Sequence, residues 1–139
     1  MRSDNWENKL QEYIDKYRQT PLEFGTHDCC TFTIEWEKVL TGKSTFPEFD
    51  RTFKSLEEGK KILKEVGFKN WVTIVNSRLE RIQPIQARRG DLVSMKFQGA
   101  YCMGICLGKI CAFVGYDKME FISKDQRNML GDLVNGWCS

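Results

Sequence analysis

Cys29 ends the loop stretch Pro21 to Asp28 and opens a segment with helical periodicity, which places its sulfur on the first turn of a helix. Unpaired N–H groups and about half a positive charge at a helix N-terminus favour thiolate over thiol. Cys29 is thereby the candidate nucleophile. His27, the only histidine in the chain, stands two residues earlier with Asp28 between them. A thiolate that does chemistry needs an adjacent base or cation, and an imidazole supplies both. Side chains two apart on a regular helix do not face each other, whereas a residue in the loop before the first turn can fold back onto it. A quieter role is open to His27 as well, hydrogen-bonding its own loop or assisting the cap.

The elements around this stretch follow from periodicity and punctuation. Trp6, Leu10, Tyr13 and Tyr17 recur at spacings of three and four, which predicts an amphipathic helix ending before Pro21. A second helix begins near Asp28, capped by Asp28 or Thr26, and carries Cys29, Phe32, Thr33, Trp36, Val39 and Leu40 on one face until Gly42 stops it. Lys43 to Lys54 reads as a loop holding Phe46, Phe49 and Phe53 as anchors. Ser55-Leu56-Glu57-Glu58 is a capping box for a third helix that Gly67 ends. Trp71 to Ile82 is assigned to a short helix, although its β-branched residues also suit a strand.

After Pro84 the pattern shortens. Asp91 to Phe97, Tyr101 to Leu107, Ile110 to Val114 and Met119 to Ile122 are runs separated by Gln98-Gly99, Gly108-Lys109 and Gly115 to Lys118, as in an antiparallel meander. The Gly108-Lys109 turn would set Cys106 opposite Cys111. Asp125 to Ser139 is read as a short helix and a last strand through Trp137. Helices first and a sheet second define an α+β arrangement.

Composition narrows the function classes. One core suits 139 residues with 41% hydrophobic content, so residues 1–139 are read as a single domain. Twenty-one basic against nineteen acidic residues leave a charge of +2, too small an excess for a nucleic-acid footprint. No apolar run reaches the ~18 to 20 residues of a membrane span, and the N-terminus lacks a signal-peptide pattern. Synthesis in a reducing cytoplasm is the expectation, with the six cysteines reduced and mostly core residues.

Gly25-Thr26-His27-Asp28-Cys29, Arg89-Gly90-Asp91-Leu92-Val93 and Cys102-Met103-Gly104-Ile105-Cys106-Leu107-Gly108, in this order, resemble the NlpC-type branch of the papain-like cysteine peptidases. In that superfamily an Asp-Cys pair opens the helix, a Gly-Asp-Leu-Val-like segment opens the sheet, and a His-Val-Gly-Ile-like strand supplies the base. Together with Leu40-Thr41-Gly42 and Ala87 to Asp91, the pattern is similar to a family of small phage- and prophage-encoded proteins linked with tail assembly. The resemblance implies N-terminal helices packed on a C-terminal antiparallel sheet, with Cys29 as nucleophile. It also puts Cys102, not histidine, at the base position.

Three functions remain open from sequence. One is a degenerate papain-like module that acts as a structural or assembly protein of a virion tail, made in the host cytoplasm and bound to other tail proteins, with no cofactor and no nucleic acid. Another is an active peptidase or amidase cutting peptidoglycan during genome delivery, with His27 as a non-standard base beside Asp28. The last is a metal or redox site of Cys29, Cys30, Cys102 and His27, for which no Cys-x-x-Cys spacing is available.

Overall fold

The protein is described by a computed structural model covering residues 2–46, 52–97, 100–124 and 133–138. Trp6–Tyr17 forms α1, and its stripe packs as expected: Leu10, Tyr13 and Ile14 are buried. Tyr13 stacks on Phe32 at 5.4 Å between ring centroids and donates its hydroxyl to the Phe32 carbonyl at 2.6 Å, locking α1 to the next helix. That helix, α2, spans Cys29–Thr41 and ends on Gly42, whose φ of 75° lies in the left-handed region that glycine enters without strain. One apolar face does not describe it. Ile34 and Glu37 are buried along with Phe32, Trp36 and Leu40, because α2 lies between α1 and the sheet.

Ser55 caps α3, Leu56–Glu65, by accepting the Glu58 N–H at 3.1 Å. The Glu58 carboxylate reaches the Lys54 N–H at 2.6 Å, one residue before the capping-box partner expected for it. Phe46 and Phe53 are buried anchors, Phe46 lying 5.3 Å from Trp71. Phe49, the Gln98-Gly99 turn and the helix expected after Asp125 fall outside the described residues.

The segment from Trp71 divides, contrary to the expected single helix. Trp71–Arg78 is α4, with Asn70 and Thr73 forming a capping box, and Glu80–Ile82 is the strand β1. Glu80 is drawn into extended backbone by pairing with Cys138 of the last strand, a partner that local periodicity does not reveal.

The remaining strands are β2, Leu92–Phe97; β3, Ala100–Cys106; β4, Ile110–Val114; β5, Met119–Ser123; and β6, Leu133–Cys138. They form one antiparallel sheet of order β1-β6-β2-β3-β4-β5. The meander from β2 to β5 is as expected; β6 returns to lie between β1 and β2. Strand alternation gives the sheet two buried faces. Leu92, Met103, Ile105, Ala112 and Trp137 join the helices in the main core, while Val93, Met95, Cys106, Cys111, Phe113 and Ile122 form a second cluster. Gly104 is required where β3 meets β4, since a Cβ there would lie 2.6 Å from both the Ala112 carbonyl and the Phe113 ring. The architecture is α+β, with four helices and a six-stranded antiparallel sheet. Among the described residues no helix is long and apolar enough to cross a membrane.

Candidate functional site

Asp28 is the N-cap of α2. Its extended backbone, at φ −128° and ψ 176°, lets one carboxylate oxygen accept the Thr31 N–H at 2.8 Å while the other accepts the Gly25 N–H at 2.7 Å. Both oxygens are spent on holding the loop to the helix. Two further bonds, from the Glu23 N–H to the His27 carbonyl and from the His27 N–H to the Glu23 carbonyl, close the loop at 2.9 and 2.7 Å. Cys29 therefore stands on the first residue of α2, where its sequence places it.

The Cys29 thiol is held below its ordinary pKa. The Cys30 thiol donates to its sulfur; burial opposes this, as does the Asp28 charge, and the backbone N–H groups of Met103 and Cys30 add to the stabilisation. The Met103 contact has a simple origin. On β3 the Cys106 N–H points to the Asp91 carbonyl and the Leu107 N–H to the Ile110 carbonyl, so the Met103 N–H is directed to the β4 side. The β3–β4 pairing ends at Gly104 and Phe113, one residue short of that donor, which bonds the Cys29 sulfur.

His27 is turned elsewhere. Its ring stacks on Tyr17 with centroids 5.0 Å apart and planes 18° from parallel, and meets Phe32 edge-on at 5.8 Å. It is 4% exposed, and Nε2 is buried without a hydrogen-bond partner among the described residues. Burial lowers its pKa more than the neighbouring Asp28 carboxylate raises it, so the imidazole is held neutral. The groups that set the Cys29 thiol do not include His27, and those that set His27 do not include Cys29.

Cys102 lies near Cys29 but not as the strand alignment anticipates. Its pairing with Met95 and its packing with the second cluster put the side chain on the face away from α2. Cys29 reaches the strand at its edge, close enough that burial and the Cys29 charge together push the Cys102 thiol up to about 11. The Cys30 thiol is pushed well up, through its hydrogen bond to Cys29 and its burial. Three sulfurs thus gather at the head of α2, with His27 outside the group. Among the described residues no set of three or more His, Cys, Asp or Glu side chains is arranged to hold a metal ion.

Two open clefts of about 510 and 780 Å3 lie elsewhere, the first along Glu80 to Gln86 and the second between Arg2, Trp6, Arg88 and Asp91. Cys29 lines neither. The backbone donor of Met103 and the stacking ring of Tyr17 are the parts of the site that sequence reading did not assign. Tyr17 was legible as a member of the α1 stripe; a main-chain N–H carries no residue signature.

A family model described as Domain of unknown function (DUF6950) matches residues 1–129. The chain belongs to this family. No curated protein and no solved structure matches it. The family description assigns no reaction, so the chemistry of the Cys29 region rests on its geometry.

His27 also makes stability depend on pH. Its folded pKa is depressed, so the unfolded chain binds the extra proton: stability is complete above the unfolded value of about 6.5 and falls as pH drops below it. Replacing His27 with Phe keeps the ring against Tyr17 and removes the orphaned Nε2. We expect His27→Phe to match or exceed wild-type stability at pH 7. Across the acidic range below about pH 6.5 the wild type should lose stability relative to the variant, as the unfolded chain takes up a proton that the folded one refuses. Urea unfolding across that range checks this, and parallel curves for the two proteins would refute it.

Proposed function

We propose that this chain is a degenerate NlpC-type papain-like domain that serves as a structural or assembly component of a phage or prophage tail, with other virion tail proteins as partners. The support is the motif order, together with a helix that opens on Cys29 and packs on an antiparallel sheet. The observation that carries the non-hydrolytic part is the His27 ring, the only imidazole in the chain, buried against Tyr17 and held neutral. A stabilised thiolate can begin attack on a carbonyl. The amine leaving group still needs a proton, and no imidazolium is placed to give it; loss of such an acid-base group costs about a hundred- to ten-thousand-fold in rate.

The test joins alkylation to turnover. Iodoacetamide should modify Cys29 with a pH midpoint below that of an ordinary thiol. Hydrolysis of peptidoglycan and of peptide substrates should be no greater for wild type than for Cys29→Ser. Turnover abolished by both Cys29→Ser and His27→Phe would establish a peptidase with His27 as base. In a phage or prophage that encodes the chain, gene deletion should abolish assembly of complete tails, and Cys29→Ser should restore it; normal particles from the deletion would overturn the tail role.

A further inference from the structure

Cys106 and Cys111 take no part in the Cys29 region, yet the hairpin between β3 and β4 sets them directly opposite each other. The Leu107 N–H donates to the Ile110 carbonyl at 2.8 Å across the two-residue Gly108-Lys109 turn. Cys106 and Cys111, one pair further in, therefore occupy a non-hydrogen-bonded position. At such positions Cα atoms stand about 4.5 Å apart with both side chains on one face, which lies within the ~4.4 to 6.8 Å range of disulfides. We propose that Cys106 and Cys111 are a redox-active dithiol that closes to a cross-strand disulfide within the hairpin when the protein meets a peroxide.

The surroundings favour Cys106 as the attacking sulfur. The Gly108 N–H points at it from 3.4 Å, and Lys124, whose ammonium bonds the Ala87 carbonyl at 2.7 Å, adds positive charge nearby. The Cys111 thiol donates to Cys106, and against the opposing effect of burial these groups bring Cys106 down to about 6, while Cys111 is pushed far up. Both thiols are fully buried, so the oxidant enters when the hairpin end opens. The Cys106 thiolate attacks one peroxide oxygen; an S–O bond forms, the O–O bond breaks, and hydroxide leaves with the proton Cys106 gave up, as water. Cys111 sulfur then attacks the sulfenic acid, the S–S bond forms, and the displaced hydroxyl departs with the Cys111 proton as a second water. Two thiols and one hydrogen peroxide become one disulfide and two waters.

The experiment treats the reduced, folded chain with hydrogen peroxide, blocks remaining thiols with N-ethylmaleimide in denaturant, and maps tryptic peptides without reduction. Cleavage after Lys109 separates the two cysteines, and Cys102 shares the peptide of Cys106, so the disulfide shows as two joined peptides 2 Da lighter than their sum, with the maleimide located on Cys102 by fragmentation and the link released by dithiothreitol. The same link is expected in Cys29→Ser, and in Cys111→Ser dimedone should instead trap a sulfenic acid on Cys106. Recovery of Cys106 and Cys111 as maleimide adducts, or of Cys106 bridged to another cysteine, would overturn the proposal. The wild-type map decides it even if a variant fails to fold.

Discussion

Replacing Trp36 with alanine is expected to cost the domain about 4 to 8 kcal/mol, enough to leave much of it unfolded at 25 °C. Trp36 is fully buried in α2, 5.6 Å from Tyr13, and its indole N–H donates to the Gly90 carbonyl at 2.8 Å. Truncation empties a cavity between α1 and the sheet and orphans the carbonyl that introduces β2. The cavity contributes about 3 to 5 kcal/mol and the lost hydrogen bond about 1 to 3. Trp36→Phe fills most of the space but still strands the carbonyl, so it should cost only about 1 to 3 kcal/mol. Urea titrations followed by circular dichroism give both values. Equal losses in the two variants would mean the indole hydrogen bond, and not the volume, dominates this junction.

The second large effect is expected at Asp28, where sequence invites a catalytic role and the geometry gives a structural one. Asp28→Ala removes the N-cap of α2, worth about 0.5 to 2 kcal/mol, and orphans the Gly25 N–H, worth about 1 to 3 more. The combined loss should be about 1.5 to 5 kcal/mol. Asp28→Asn keeps one acceptor oxygen and should lose roughly half as much. The same substitution also removes a negative charge that raises the Cys29 thiol. The pH midpoint for Cys29 alkylation should therefore fall in Asp28→Asn even as stability falls. An upward shift in that midpoint would show that Asp28 supports the thiolate, and would return it to the list of catalytic groups.

Sequence by itself determined the parts of this protein whose partners are near in the chain. Helices α1, α2 and α3 and their stops follow from i, i+3 and i+4 spacing and from Asp28, Gly42 and Ser55, each acting within one turn. The position of Cys29 at a helix head, and of Cys106 opposite Cys111, is local in the same sense: a cap and a two-residue turn specify each. Tertiary structure decided what depends on distant backbone. Glu80–Ile82 is a strand because β6, more than fifty residues later, offers it a ladder, and helical periodicity in the same residues yields to that pairing. Glu37 is buried because α2 has neighbours on two sides, a property of packing and not of a stripe. The direction of the His27 ring was settled by the apolar surface that Tyr17 and Phe32 offer it, while Cys29 found its donor in a strand whose ladder had ended at Gly104. Residue types name the chemistry available at a site; whether a base faces a nucleophile is fixed by contacts among elements far apart in the chain, and these leave no trace in local spacing.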